Sequence, residues 1–370
     1  MAKKVTIGFL RMKLEAGEKR FFQPAFIQFL LDQGAEIYLE EGYGSRAGYT
    51  FDDYKRGSKN VYMCNRDQIF QKDYIIVLRS PRLDELENLG QGSCIISMLH
   101  FPTRQKRVAL LKEMAVRAIS IDCIVNDLNL RLVEDMKAVA WNGLETGFDC
   151  LEKRFPMLEK EDGEPWRTLV VGTGMVGKHA VDAATKLGNV ERNNEHIQAG
   201  GPGAVAMAVG RNVTTNTQLM KKIFQTIDVL VDASNRRDSS KPVVPNEWIA
   251  WLPEHAIIVD LSVDPYMPDA EPPVVRSTEG IPQGNLDHFI FEPDDPEWDK
   301  SIPPPIPTIN RRTTVSCYSW PGIHPEASML HYASQLEPLM QALLAVGYDD
   351  LSTGGGYFER ALYRASLKAW

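Results

Sequence analysis

Residues 168–188 read TLVVGTGMVGKHAVDAATKLG, and most of the fold follows from this stretch. Leu169 to Val171 is a short apolar run of strand type. It passes directly into Gly172-Thr173-Gly174-Met175-Val176-Gly177 and then into a segment whose apolar residues recur at helical spacing. Each glycine has its own mechanical task. Gly172 permits the tight turn out of the strand, Gly174 lets the backbone approach a diphosphate, and Gly177 lets the helix pack closely on the strand. The helix start then offers free amides and the positive end of its dipole to an anion. A GxGxxG alone is weak evidence, because it matches by chance in many loops. With a strand before it and a helix after it, the spacing predicts a dinucleotide-binding domain of Rossmann type.

Working outward, Asp228 to Val231 and Ala256 to Asp260 are apolar runs that end in polar turns, DASN at 232–235 and DLSVD at 260–264. The carboxyl ends of parallel strands line the ligand crevice, so Ala233, Ser234 and Asn235 are expected to face the cofactor beside Thr173, Met175 and Val176. Upstream, apolar residues at helical spacing from Met136 to Leu151 predict a long connecting helix over 132–155, ended by EKEDGEPW. Strands are expected at 4–10, 35–39, 75–78 and 94–99, with a helix opened by Pro24 and closed by Gly34. Strand–helix–strand alternation of this kind implies parallel sheets: an α/β chain with two Rossmann-like domains. The proline-rich stretch 265–307 reads as a long ordered surface loop. One or two helices are expected over 325–345, a turn at the three glycines 354–356, and a last helix in FERALYRASLKAW.

A chain of 370 residues exceeds what one hydrophobic core supports, so two domains are expected. The formal net charge of −8 argues against nucleic-acid or anionic-membrane binding, which need a basic footprint. Arg104, Lys106 and Arg107 form a local basic cluster, read as a solvated loop. The five cysteines (Cys64, Cys94, Cys123, Cys150, Cys317) show no CxxC spacing, so neither a zinc site nor a disulfide framework is indicated, and no metal is expected. The apolar run in MAKKVTIGFLRMK is too short for a signal peptide, and no run approaches the roughly 18–20 apolar residues of a membrane helix. A soluble cytoplasmic protein acting on a small molecule, as a homo-oligomer, is the expectation.

Cofactor choice turns on the second strand of the nucleotide-binding sheet. An acidic residue about 20 positions after the fingerprint holds the adenosine ribose of NAD in such domains. Here the region 188–203 reads as a loop, and the apolar run AVAMAV (204–209) ends in Gly210-Arg211-Asn212-Val213-Thr214 with no acid. Arg211, Asn212 and Thr214 suit a 2′-phosphate, so NADP is expected over NAD. The opposing view makes Glu191 the ribose ligand, which requires Asn189-Val190 alone to serve as the second strand.

Taken in order, several pieces resemble the family of alanine dehydrogenase and the nucleotide-binding subunit of pyridine nucleotide transhydrogenase. These are the opening strand, Glu18-Lys19-Arg20, LEEGYGSRAGY (39–49), Asp53-Tyr54 with Gly57, LRSP (78–81), GQGSCIISMLH (90–100) and the GxGxxG. Saccharopine dehydrogenase and carboxyethylornithine synthase are similar at greater distance. The resemblance implies a substrate domain at 1–131 plus 326–370, a dinucleotide domain at 132–325, and an active-site cleft between them. It implies that Arg20 grips a substrate carboxylate, that His100 exchanges a proton with the substrate, and that Asp264 lies near the nicotinamide. The family's active-site lysine falls on Arg79, which stays protonated at any working pH and cannot act as an acid or base. The resemblance therefore implies hydride transfer at the α-carbon of an amino acid, imine or opine-type secondary amine more than alanine itself. A 2-hydroxy or keto acid substrate, or a non-catalytic nucleotide-binding sensor, stands as the alternative.

Overall fold

The apolar run around Ile7 forms β1 (Thr6–Phe9) in the computed structural model, which describes residues 4–370. Residues 1–3, the start of the segment read as too short for a signal peptide, lie outside the described residues. Strands and helices then alternate through β2 (Glu36–Glu40), β3 (Val61–Cys64), β4 (Tyr74–Arg79), β5 (Cys94–Met98) and β6 (Arg117–Ser120). All pair parallel, in the order β3-β2-β1-β4-β5-β6. Ile7, Phe9, Ile75, Ile76, Ile95 and Ile96 are fully buried, which is what a parallel sheet covered on both faces demands. The helix Pro24–Asp32, with proline pre-set at its start, packs against the long helix Pro325–Val346.

The chain divides into two compact units, Met1–Asp135 with His324–Trp370, and Met136–Ile323. The second unit holds β7 (Trp166–Val171), β8 (Ala204–Val209), β9 (Val229–Asp232), β10 (Ile257–Asp260), β11 (Ile290–Phe291) and β12 (Thr313–Ser316). Their order is β11-β12-β10-β9-β7-β8, all parallel except β11, which runs antiparallel to β12. Both sheets are thus of the α/β kind expected. In the second unit β8 lies on one side of β7 and β9 on the other, so the order reverses at β7. The crevice outside the carboxyl ends of these strands is where α/β sheets of this topology bind ligands.

The strands β3, β6 and β11 add to those expected, Lys106 and Arg107 lie in the helix Gln105–Glu113 and not in a loop, and three stretches of the second unit differ in kind from the sequence expectations. Residues 188–203 are not a plain loop: Val190–Gln198 is a helix, capped by Asn189, whose side chain accepts from Arg192 N. Arg192 ties it to Glu152 and Asp149 of the helix Met136–Arg154, so ion pairs replace the apolar stripe that would have announced it. The proline-rich stretch does not simply cross the surface. Arg276, Ser277 and Thr278 are buried, with Arg276 bonded to Asp260 and Ser316, and Ser277 and Thr278 to Asp232. β12 was not foreseen, because Thr313, Thr314 and Ser316 look like loop residues; all three are buried, and Ser316 Oγ donates to Asp260 Oδ2 at 2.8 Å.

At the opposite, amino-terminal end of this sheet, Asp228 fastens the strands together. Its buried carboxylate accepts from Lys160 Nζ (2.7 Å), Arg167 N (2.7 Å) and His255 Nε2 (2.8 Å). Burial works against the ionised form, but these donors outweigh it and hold the carboxyl below its ordinary range. Asp228→Ala leaves the Arg167 amide with no acceptor and Lys160 with only the Pro165 carbonyl and no counter-charge. It is expected to cost about 2–4 kcal/mol of stability, read as a lowered denaturation midpoint with an unchanged slope.

Candidate functional site

The turn after β7 is built by close approach. Gly172 has φ +124°, and an added Cβ there would lie 2.2 Å from Ala233 O; a Cβ on Gly177 would lie 2.2 Å from Gly172 O. Neither position tolerates a side chain. Gly174, at the start of the helix Met175–Ala184, faces open space: a Cβ there would meet nothing within 4 Å. The helix N-terminus thus opens onto a cavity of about 680 Å³. Gly172, Thr173, Gly174, Arg211, Thr214, Ala233, Ser234 and Asn235, all expected to hold a dinucleotide, line this one cavity. Met175, Val176, Gly177 and Asn212 do not line it. Thr215, Arg236, Arg237, Asp238 and Lys241 line it too and were not singled out from sequence, although four charged residues soon after the apolar run of β9 were an available signal.

Arg211 opens the short helix Arg211–Thr214 after β8, is exposed, and donates from Nη2 to Asn235 O at 3.2 Å. Glu191 sits in the first turn of the helix Val190–Gln198 and is not among the lining residues, while β8 itself pairs with β7 as the second strand. Buried polar groups stand behind Ser234 of the cavity wall. Ser234 Oγ meets Ser277 Oγ at 2.5 Å, and Ser234 N donates to Asp232 Oδ1 at 3.1 Å. Asp264, past the end of β10, accepts from Arg236 Nη2 at 2.7 Å. Burial raises its pKa, and the charge of Asp232 adds to this while Arg236 opposes it.

The first unit holds the other expected residues. His100 lies two residues beyond β5, exposed, with its backbone in the left-handed region at φ 54°. Such a conformation costs about 1–3 kcal/mol in a non-glycine residue and persists only where neighbours enforce it. Asp122 is that neighbour, just past the end of β6: Oδ1 accepts from His100 N at 3.2 Å and Oδ2 lies 3.1 Å from Nδ1. Burial disfavours the Asp122 carboxylate, but the hydrogen bond and charge of His100, with Ser120, bring its pKa down to about 2. An ionised carboxylate only accepts, so the ring proton sits on Nδ1 and Nε2 is the nitrogen left for chemistry. Asp122 was missed from sequence; its place at a strand's carboxyl end was the clue.

Arg20 is buried, and Glu18 holds it by a fork, Nε to Oε1 at 2.9 Å and Nη2 to Oε2 at 2.5 Å. Arg79, the last residue of β4, donates from Nη1 to Glu15 Oε1 at 2.6 Å and lies 3.6 Å from Glu18 Oε2. Burial raises the pKa of Glu18, yet Arg20 and Arg79 together leave it lowered. Arg79, Glu15 and Glu18 line a cavity of about 340 Å³, and Arg20 does not.

Residues 14–140 match the family described as alanine dehydrogenase/PNT, N-terminal domain. The chain is 22% identical over 256 residues to an alanine dehydrogenase of Methanococcus maripaludis, covering 65% of this chain and 67% of that one. It is 28% identical over 130 residues to alanine dehydrogenase 1 of Staphylococcus aureus, covering 35% and 34%; the match thus spans about a third of that relative's length. Among solved structures, an L-alanine dehydrogenase superposes with TM-score 0.72 at 18% identity, over 98% of this chain and 94% of that one. The transhydrogenase of Sinorhizobium meliloti gives TM-score 0.63 at 14% identity, over 91% and 94%. The chain is alanine dehydrogenase-like in sequence and in fold, as the motifs in its N-terminal half implied.

Two measurements check the His100–Asp122 pair. Ring-nitrogen NMR is expected to show His100 protonated at Nδ1, and Asp122→Asn to abolish that preference. An Nε2-protonated ring in the unsubstituted protein would contradict the assignment. Because the Asp122 pKa is depressed from 3.8 to about 2, its contribution to stability is complete above pH 4 and lost as the pH falls toward 2. Stability of Asp122→Asn should therefore fall less steeply across that window than that of the unsubstituted protein.

Proposed function

We propose that this protein is a dinucleotide-dependent oxidoreductase, preferring NADP over NAD, that moves a hydride to or from the α-carbon of an amino acid, imine or opine-type secondary amine. One observation carries the cofactor half of this: the Gly172–Gly177 turn, which admits no Cβ at either end and open space between, shares its cavity with Arg211. A dinucleotide fits that cradle. The amides at the start of the helix Met175–Ala184 take its diphosphate. Arg211 and Thr214, at the end of β8, take a 2′-phosphate, and Ser234 and Asn235 border the remainder. When bound, the nicotinamide supplies the site that gives or accepts the hydride.

The protein's own residues do the rest. His100, oriented by Asp122, takes a proton from the substrate nitrogen at Nε2 or returns it there. Arg79 grips the substrate carboxylate with its fixed guanidinium fork. Glu15 and Glu18 set the direction of that fork, and Arg20 in turn fixes Glu18. Asp264, its pKa raised by burial, stabilises a cationic imine or orients a water. The unit Met1–Asp135 with His324–Trp370 thus handles the substrate and Met136–Ile323 the dinucleotide. All five cysteines are unpaired thiols, four of them buried, which suits a cytoplasmic protein. Arginine at position 79, where the resembled family has lysine, is the observation that favours a second reading. The same His100 would then deprotonate the hydroxyl of a 2-hydroxy acid.

Titration calorimetry tests the cofactor choice. The protein should bind NADPH about tenfold to a hundredfold tighter than NADH, since a charge-assisted phosphate contact is worth about 1.5–3 kcal/mol. Arg211→Ala should erase the difference; equal affinities in the unsubstituted protein would return Glu191 as a candidate ribose ligand. His100→Ala should lower turnover by about 10²–10⁴-fold while dinucleotide affinity stays the same, and near-normal turnover would leave His100 a structural role only.

A further inference from the structure

The segment Asn235–Lys241 leaves β9 along the wall of the dinucleotide cavity and brings three cations to it, Arg236, Arg237 and Lys241. Their surroundings separate them sharply. Arg236 is consumed internally: its guanidinium is nearly buried and donates to Asp264 Oδ2 (2.7 Å), Ser239 O (3.2 Å), Lys241 O (2.8 Å) and Val275 O (2.5 Å). The backbone 239–241 is folded around it. Lys241 has its ammonium 3.4 Å from Asp238, the one acid in the cavity wall. Arg237 is exposed to the cavity, and among the described residues it forms no hydrogen bond or ion pair. A cation held on a braced segment, facing a cavity and left uncompensated, is placed for an anion that arrives from outside.

Sheet order says which anion. β7 lies between β9 and β8, so its glycine turn stands between the segment carrying Arg237 and the strand end carrying Arg211. Arg211 is on the β8 side, where an adenosine ribose and its 2′-substituent belong. A diphosphate in this cavity belongs over the β7 turn, which lines the same cavity as Arg237. We infer that Arg237 is the arginine that grips the dinucleotide diphosphate, with Arg236 as the brace that holds it there. This rests on the reading of the cavity as a dinucleotide site and adds a residue the fingerprint does not contain. The helix start offers only amides to two negative charges; Arg237 adds a full positive charge and a two-pronged donor. The roles are then divided: Arg211 discriminates between NADP and NAD, and Arg237 serves both equally.

The division is testable by titrating the full chain with NADPH, NADH, ADP and 2′-AMP. Arg237→Ala is expected to weaken NADPH, NADH and ADP by a common factor of about tenfold, leaving 2′-AMP binding and the NADPH-to-NADH ratio unchanged. Arg211→Ala should do the reverse, weakening NADPH and 2′-AMP alone. Asp238→Asn, which releases Lys241, should tighten all diphosphate ligands by about two- to fivefold. Unchanged affinities in Arg237→Ala, with NADPH bound normally by the unsubstituted protein, overturn the role of Arg237 and leave the cofactor reading standing. Loss of 2′-AMP binding in that variant overturns it too, by moving Arg237 to the 2′-phosphate. An unsubstituted protein that binds neither dinucleotide overturns the cofactor reading and this inference together.

Discussion

The carbonyl of Ala233 occupies the space where a side chain at position 172 would begin, and the carbonyl of Gly172 occupies the corresponding space at 177. These two contacts clamp the end of β9 against the end of β7, and the helix Met175–Ala184 against the turn. Only with the backbone this close does the helix start sit directly over the strand end, with its amides turned into the cavity. A methyl group at either position would push strand from strand or helix from strand. The residues that follow β9, Ser234 through Asp238 and then Lys241, reach the cavity wall because β9 is held there.

A second constraint is electrostatic. Parallel strands bring their carboxyl ends to one edge, and here two of them, β9 and β10, end in buried aspartates, Asp232 and Asp260. Left alone, two desolvated carboxylates would be costly. The proline-rich stretch supplies much of what they need, Arg276 for Asp260 and Ser277 and Thr278 for Asp232, and Ser316 of β12 adds a donor to Asp260. Two of the Arg276 nitrogens, Nε and Nη1, have no partner among the described residues, so the pairing is one-sided and the arginine pKa is lowered by burial. The outcome is a loop without periodicity that is nonetheless fixed by charge, and its fixed backbone at Val275 helps hold Arg236. Asp264 and Arg237 therefore owe their placement to the same buried carboxylates.

What the sequence discloses is whatever a local period or a local turn encodes. β7, its glycine turn and the helix behind it are legible because each rests on residues within twenty positions of one another. The apolar runs of β1, β4, β5, β9 and β10 are legible because strands buried on both faces must be continuously apolar. β12 escapes because its threonines and serine are buried with their hydroxyls hydrogen-bonded, Thr313 to Glu292, Thr314 to the Arg312 carbonyl and Ser316 to Asp260, and not for hydrophobicity. The helix Val190–Gln198 escapes because Asn189 and Arg192 stabilise it through polar contacts. In the candidate site, Arg211 is legible from its place after an apolar strand. The capture of Arg20 by Glu18 is not, since a fork between residues two apart depends on the backbone turning between them. Asp122 and Arg237 each follow a strand, but what they face depends on sheet order, which brings β6 beside β5 and β9 beside β7, and no spacing in the chain records that.

Hydride transfer to carbon is the claim on which the remaining assignments converge, and it can be observed before the substrate is identified. The protein would be incubated with NADPH carrying deuterium at C4 of the nicotinamide, a panel of 2-oxo acids, and either ammonia or an amino acid as nitrogen donor. Mass spectrometry of the products is expected to find deuterium on the α-carbon of an amino acid or secondary amine, with NADP formed in equal amount. Deuterium that remains in the nicotinamide with every acceptor, or that appears only in a 2-hydroxy acid, would contradict the account.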